Sequence, residues 1–215
     1  MKVGVRDATV EDVPLIAWVQ LAAARSHCPL GFLDVAFPGP DAPRLALLEQ
    51  IATTTGAPHF AHFGGFLVAE LDGTPVGALS GYDPTLKTLA AYVIAMNEVL
   101  ERNGWDEAHR RLLGKRLEPT TACTSDSPDD RWVVEWVALL PEARGRGLAP
   151  RLLDAILERG REAGFAKAQI SYMIGNTPAR LTYQRAGFAE VDEKRHPEFE
   201  RIFGSPGVAR MWRDL

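Results

Sequence analysis

The stretch Leu139-Leu140-Pro141-Glu142-Ala143-Arg144-Gly145-Arg146-Gly147-Leu148-Ala149-Pro150 decides the fold of this chain. An apolar run from Trp132 to Leu140 leads into it, and a helical pattern that begins at Pro150 follows it. A strand that passes through a glycine-rich turn into a helix presents free backbone N–H groups and the positive end of the helix dipole at one point. The sequence therefore predicts a binding site for a phosphate or pyrophosphate group at this turn.

The residue types within the turn suit an anion. Gly145 and Gly147 can adopt backbone angles that are closed to other residues, and they let a phosphate approach the main chain. Arg144 and Arg146 add positive charge in a fork that matches phosphate oxygens. Pro150 is expected at the first helical position. Proline has no N–H, and an N–H at that position would have no partner within the helix, so proline is tolerated there. A P-loop is a poor fit because Gly-Leu-Ala stands where Gly-Lys-Ser/Thr is needed, and a dinucleotide fingerprint would need a third glycine at position 150.

The flanking sequence predicts alternating strands and helices. The run over 131–140 is rich in β-branched and aromatic residues, which is typical of a buried strand. The run over 165–174 predicts a second central strand. Thr177 is expected to cap the helix that follows this strand, with Pro178 at the first helical position. The predicted order is a strand over 131–140, a helix from 150 to about 164, a strand over 165–174 and a short helix over 179–186.

Two motifs in this region resemble the signatures of the GNAT superfamily of N-acetyltransferases. The acetyl-CoA signature Arg/Gln-x-x-Gly-x-Gly/Ala is met by Arg144, Gly147 and Ala149. The second signature, commonly Asn…Ala…Leu-Tyr-x-x-x-Gly-Phe, is similar to the run from Asn176 to Phe188. The resemblance covers residues 131–190 closely and residues 1–83 more loosely. It implies one α/β (α+β) domain over 1–215, with a mixed central sheet of about six to seven strands and helices on both faces.

The resemblance also implies a coenzyme site and a co-substrate, acetyl-CoA. Tyr183 matches the tyrosine that commonly protonates or hydrogen-bonds the coenzyme A sulfur, although it could simply anchor its helix. Asn176 resembles the asparagine that hydrogen-bonds the pantetheine arm, although it could be a turn residue. The implied coenzyme-binding residues are Val137, Ala138, Leu139, Arg144, Gly145, Arg146, Gly147, Leu148, Ala149, Asn176, Ala179 and Tyr183.

Glu135 is the candidate general base. It lies within the apolar strand that precedes the turn, where a carboxylate is uncommon and burial should raise its pKa toward neutrality. Strict alternation predicts that Glu135 shares a face with Val133 and Val137, opposite Trp132 and Trp136. The alternative is a structural carboxylate paired with an arginine.

Composition limits the remaining possibilities. The chain has 215 residues, and its formal net charge of −4 argues against a general nucleic-acid binder. Its apolar runs are too short to cross a membrane and no signal peptide opens it, so we expect a cytoplasmic protein without a membrane partner. Cys28 and Cys123 lack metal-type spacing, and His59 and His62 lack a third ligand, so no metal is expected.

The rest of the chain predicts further elements and one insertion. We expect a first strand over 2–6, helices over 13–25 and 44–53, a hairpin over 66–80, and strands over 189–194 and 208–213. The insertion, residues 84–130, predicts two helices. The first starts at Asp83-Pro84 and has a stripe of Leu86, Leu89, Val93 and Leu100; the second covers 106–117 and stops before Pro119. We favour a surface decoration over a lid.

Function follows from the resemblance. We expect an acetyl-CoA-dependent N-acetyltransferase in which the amine of a small molecule or peptide attacks the thioester directly, within a ternary complex. A non-catalytic acyl-CoA sensor on the same fold is the alternative, and an ATP- or NAD-binding protein is a remote one. Dimerisation through the C-terminal strands is possible by family analogy.

Overall fold

The computed structural model describes residues 2–124 and 127–215. Seven strands form one sheet in the order β1-β2-β3-β4-β5-β7-β6. The β4–β5 pair is parallel and every other pair is antiparallel. The strands are β1 Val3–Asp7, β2 Phe66–Leu71, β3 Thr74–Tyr82, β4 Trp132–Leu139, β5 Lys167–Met173, β6 Ala189–Arg195 and β7 Gly207–Asp214. The predicted mixed sheet and its C-terminal strands are confirmed.

Eight helices cover the two faces of the sheet in the described part of the chain. They are α1 Val13–Arg25, α2 Phe32–Ala36, α3 Asp41–Ala52, α4 Leu89–Arg102, α5 Glu107–Thr121, α6 Leu148–Glu162, α7 Thr177–Arg185 and α8 Pro197–Phe203. Helix α6 packs on one face against β1 to β4, while α1 packs on the other against β3 and β4. The amphipathic α6 buries Leu152, Leu153, Ile156 and Leu157 at helical spacing, as its sequence predicts.

The insertion helices belong to a second apolar core. Met96, Val99 and Leu100 of α4 and Leu113 of α5 pack with side chains of α1, α2 and α3. The prediction for α4 was partly wrong, because the helix begins at Leu89 behind the cap residue Thr88, and Leu86, Leu89 and Val93 are exposed. The second helix was also predicted too short, since α5 continues past position 119 to Thr121.

Two helices differ from the prediction near the C-terminal half of the sheet. Helix α6 begins at Leu148 with Gly147 as its N-cap, so Pro150 is the third helical residue rather than the first. In α7 the N-cap is Asn176 rather than Thr177. Helix α8, a single short element between β6 and β7, was not predicted, because Pro197 to Phe203 is too short to show a helical period.

Candidate active site

A cleft opens between the two central strands. Strands β4 and β5 pair only at Trp132 with Ala168, Val133 with Gln169 and Val134 with Ile170. Strand β4 continues to Leu139 while β5 continues to Met173, so the two strands separate beyond those pairs. The main chain of β4 over 137–139 pairs with β3 along one edge, so its other edge faces the cleft. A slot of this kind suits an extended ligand that hydrogen-bonds a strand.

A β-bulge interrupts β4 within the cleft. The register with β3 shifts between Ala78 and Ser80, and Trp136 adopts a positive φ of 56°. A bulge adds one residue to a strand and re-aims the side chains after it. Trp136 packs against Phe32, with ring centroids 5.7 Å apart, whereas Val137 packs with the core under α6.

The predicted alternation around Glu135 is therefore wrong beyond that residue. Glu135 lies on the α1 side of the sheet, where its charge reaches Tyr92 of the second apolar core. Trp136 packs on the same side, and Val137 packs on the opposite side, under α6. The reason is the bulge, which inserts one extra residue into β4, so that two consecutive side chains point to the same side of the sheet. Trp132 is buried under α6, and the half-buried Trp136 packs against two groups of apolar side chains on the α1 side.

Glu135 is surrounded by neutral groups. Ser80 lies directly opposite it on β3, and Tyr82 lies one pair further along the same face. Burial raises the pKa of Glu135 to about 7, and a hydrogen bond from Tyr82 opposes that rise. Within residues 2–124 and 127–215 no arginine or lysine contributes to the shift, so this part of the chain offers no partner for the alternative of a carboxylate paired with arginine.

Three aromatic rings from separate segments form a wall beside the carboxylate. Phe60 stacks on Tyr82 with ring centroids 5.3 Å apart and on Tyr92 with centroids 4.8 Å apart. Tyr92 comes from α4, and burial together with the charge of Glu135 raises its pKa to about 12. The insertion thus reaches the surroundings of the candidate base.

A buried histidine lies next to this wall. His59 is fully buried, and its Nε2 lies 2.8 Å from the hydroxyl of Thr54. Burial lowers the pKa of His59 to about 4, which keeps the ring neutral. Within the described residues no group of three or more metal-ligating side chains is found.

The glycine turn has the geometry of an anion cradle. A single 3-10 turn, Pro141–Ala143, carries the chain out of β4, and Gly145 and Gly147 take φ values of 73° and 74°. A Cβ at either glycine would meet no atom within 4 Å, so the space above the turn is open. Beyond Gly147 the helix starts at once, and the N–H groups of Leu148 and Ala149 lie in its first turn, where the intrahelical ladder offers no partner.

Two arginines border the turn and are anchored to it. The Nε of Arg144 donates to the carbonyl oxygen of Leu139 over 3.2 Å, and the Nε of Arg146 donates to that of Glu142 over 3.1 Å. Both side chains are exposed, so positive charge lies at the rim of the turn. This arrangement can attract an anion, and the helix dipole of α6 adds to the attraction.

Asn176 links two loops at the cleft. Its Oδ1 accepts a hydrogen bond from the N–H of Ala179 over 3.1 Å, which caps α7. Its Nδ2 donates to the hydroxyl of Ser26 over 2.7 Å, and Ser26 ends α1 with a positive φ of 58°. The Asn176 side chain thus caps α7 and connects the α1–α2 loop with the β5–α7 loop. One hydrogen of its amide group remains for a further partner.

Tyr183 lies in the main core under α7. Its ring packs against Phe188 and Tyr172, with centroids 6.4 and 6.5 Å away. Burial raises its pKa above the usual value, so the phenol stays protonated at neutral pH. Its ring therefore does anchor the helix, and its hydroxyl retains a proton that could be donated.

Sequence reasoning missed several residues around Glu135. Tyr82 could have been found, because it lies two residues beyond the predicted hairpin and shares the period-two face of Ser80. Phe60 and Tyr92 near Glu135, and Ser26 next to Asn176, come from a loop, an insertion and a helix end, and only the folded structure brings them to these positions.

Comparison with known proteins identifies the family. The model of the acetyltransferase (GNAT) family matches residues 32–188. The chain belongs to the GNAT acetyltransferase family. No curated protein matches the sequence significantly. No helix in the described part of this GNAT chain is long and apolar enough to span a membrane.

Solved structures share the fold of this GNAT protein. An acetyltransferase structure superposes with a TM-score of 0.71 at 20% identity, covering 99% of both chains. An N-acetyltransferase from Staphylococcus aureus Mu50 gives 0.66 at 19% identity, covering 98% of this chain and 100% of its own. A polyamine N-acetyltransferase of Drosophila melanogaster, which forms N-acetylagmatine, gives 0.56 at 17% identity with both chains fully covered.

Proposed function

We propose that this protein transfers an acetyl group from acetyl-CoA to a primary amine by direct attack within a ternary complex. The observation that carries the proposal is the cleft between β4 and β5, which joins the glycine turn at one end to Glu135 at the other. An acyl-CoA has the matching layout, with a pyrophosphate, an amide-rich arm and a reactive thioester in that order.

The coenzyme would follow the cleft. Its pyrophosphate would lie on the turn, against main-chain N–H groups over 145–149 and the charges of Arg144 and Arg146. The pantetheine amides would pair with the β4 edge over 137–139, and Asn176 and Ala179 would border the arm on the β5 side. An N–H near Val137 would then donate to the thioester oxygen and stabilise the charge that develops on it.

Two titratable side chains support the proton transfers. Glu135, whose pKa lies near 7, would take one proton from the attacking amine as the C–N bond forms. Tyr183, which stays neutral, would give its proton to the sulfur as the C–S bond breaks, or stabilise the thiolate by a hydrogen bond. Two protons move in opposite directions, so the product amide and free coenzyme A leave neutral at the reacting atoms.

The acceptor would enter from the α1 side, where Glu135 and the aromatic wall lie. The wall of Phe60, Tyr82 and Tyr92 offers ring surface next to a carboxylate, which suits an amine on a small molecule or a peptide.

The first experiment is calorimetric titration of the purified protein with acetyl-CoA, with ATP and NAD alongside. Saturable binding of acetyl-CoA alone supports the donor site and leads to an amine screen that detects released thiol. Initial rates with both substrates varied should intersect, because direct attack needs both bound at once. Parallel lines or a trapped acetyl-enzyme would contradict direct attack, and binding of ATP or NAD instead would contradict the acetyl-CoA proposal. Tight binding without any turnover would favour a sensor.

A further inference from the structure

A row of polar side chains crosses the sheet next to Glu135. Tyr82 of β3 pairs with Val133 of β4, which pairs with Gln169 of β5. Residues directly opposite one another share a face of a sheet, so Tyr82 and Gln169 flank Val133 on the face that carries Glu135. Both are buried, with 5% and 3% of their surface exposed. Buried polar groups at such positions need hydrogen-bond partners.

Ser127 is the hydrogen-bond partner of the Gln169 amide nitrogen. The Nε2 of Gln169 donates to the hydroxyl oxygen of Ser127 over 3.1 Å. The Ser127 hydroxyl and the Glu135 carboxylate both affect the pKa of the Tyr82 phenol, so Tyr82 lies between these two side chains. A hydroxyl can accept one hydrogen bond and donate another, so a chain that begins with the Gln169 donor would run through Ser127 and Tyr82 to the carboxylate.

We propose that Gln169, Ser127 and Tyr82 form a directed hydrogen-bond chain that positions Glu135 and stabilises its ionised form; this rests on the role of Glu135 as base proposed above. Hydrogen bonds in series polarise one another, so the last donor, Tyr82, is strengthened by the two behind it. Phe60 stacks on the ring of Tyr82 and holds its hydroxyl in place.

The chain gives the insertion a part in the chemistry. Ser127 lies in the segment between α5 and β4, within the insertion over 84–130. Tyr92, also from the insertion, contacts the same aromatic wall. In this proposal the insertion is neither a decoration nor a lid, because it completes the support of the base.

The electrostatic surroundings of Glu135 make the chain testable. Tyr82 from β3 and Tyr92 from α4 are the titratable groups that respond to its charge, and both are neutral phenols. Among the described residues, three other titratable side chains near the wall have lowered pKa values in which Glu135 has no part, namely His59, His62 and Lys87. Removing a chain donor should therefore change the titration of Glu135 without a competing cation to mask it.

The test is a pH titration of protein labelled with 13C at the glutamate carboxyl carbons, in which the Glu135 signal is the one lost in Glu135→Gln. Tyr82→Phe should raise the pKa of Glu135 by about half a unit to one unit, the equivalent of one net hydrogen bond. Ser127→Ala should raise it by less, and the double variant should match Tyr82→Phe alone, because Ser127 acts through Tyr82. Ser80→Ala is the matched control, since Ser80 faces Glu135 but bonds only to its main-chain oxygen.

Three results would overturn the chain: no effect of Ser127→Ala, additive effects in the double variant, or a shift of equal size in Ser80→Ala. Thermal unfolding of each variant verifies that the fold is retained before its titration is compared. The titration needs neither coenzyme nor acceptor. A protein that shows the predicted pKa changes but transfers no acetyl group would refute the proposed function and leave the hydrogen-bond chain supported. A protein that transfers acetyl groups without these pKa changes would refute the hydrogen-bond chain and leave the proposed function supported.

Discussion

Glu135 and Trp136, neighbours in the chain, present their side chains to the same side of the sheet. The positive φ of Trp136 and the register shift opposite it produce this arrangement. A regular strand would send the two side chains to opposite faces. The irregularity places a carboxylate and an indole together where β4 separates from β5, and it turns Val137 toward the other side.

Replacing Glu135 by glutamine should remove the pH dependence expected of a general base. Because the pKa of Glu135 is about 7, the rate of the unmodified enzyme should rise with pH through that value as the carboxylate ionises. The variant should lose about 100-fold in kcat, the lower end for general-base catalysis, together with that limb of the profile. The measurement is kcat/KM from pH 5.5 to 9 with the best amine from the screen.

The same variant gives an independent check on the burial of the carboxylate. The folded protein holds a proton on Glu135 up to about pH 7, whereas the unfolded chain releases it near 4.5, so stability falls as pH rises between these values. Glu135→Gln should therefore be more stable than the parent above pH 7, by up to about 3 kcal/mol, and similar to it near pH 4. Equal stability at pH 8 would contradict a raised pKa.

Replacing Tyr183 by phenylalanine should separate chemistry from packing. Within the described residues the hydroxyl has no protein hydrogen-bond partner, while the ring packs against Phe188 and Tyr172. The variant keeps the ring, so the free energy of unfolding should change by less than about 0.5 kcal/mol. If the phenol serves the departing thiolate, kcat should fall by about 10-fold or more.

Tyr183→Leu is the contrasting variant for the role of the ring. Loss of the buried ring should cost about 2 kcal/mol or more in unfolding free energy, as for other large core side chains. Full activity in Tyr183→Phe would contradict a catalytic role for the hydroxyl and show that Tyr183 serves only as an aromatic side chain of the core.

Much of the fold could be predicted from the sequence, and the failures have physical causes. The turn from Leu139 to Ala149 and the strands around it were predictable, because glycine, proline and apolar periodicity act locally. The bulge at Trp136 was not, since no residue type marks it and only pairing with β3 reveals it. The neighbours of Glu135 were also missed, because Tyr82 and Tyr92 come from distant segments. The cap of α7 was misassigned because Asn176 and Thr177 are both good N-cap residues.

Replacing Asp34 by asparagine should destabilise the junction of α1, α2 and α3. Its buried carboxylate accepts hydrogen bonds from Arg25 and from the N–H of Gly31, and it pairs with the buried Arg44. Burial alone would raise the pKa of Asp34, but these partners lower it. The carboxylate therefore contributes to folding stability at neutral pH, and this contribution is lost under acidic conditions. Neutralising it leaves Arg44 poorly compensated, which should cost about 3 kcal/mol at pH 7 by chemical denaturation.

Asp41→Asn is the matched control for that change, because Asp41 pairs with the same two arginines, Arg25 and Arg44, but is half exposed. Its loss should cost less than about 1 kcal/mol. Equal costs for the two variants would show that burial does not set the strength of the network.

Replacing Gly147 by alanine should weaken acetyl-CoA binding beyond its effect on stability. Gly147 has a φ of 74°, so an alanine there is strained by about 1 kcal/mol. Its Cβ would also enter the open space where we propose that the pyrophosphate lies. Gly73→Ala is the matched control, since Gly73 has a φ of 82° and open space around it but lies in the β2–β3 hairpin. Both variants should lose similar stability, yet only Gly147→Ala should raise the Kd for acetyl-CoA, by about 10-fold, because a phosphate that cannot approach the main chain loses its hydrogen bonds there. An unchanged Kd in Gly147→Ala, measured by calorimetry, would place the coenzyme elsewhere.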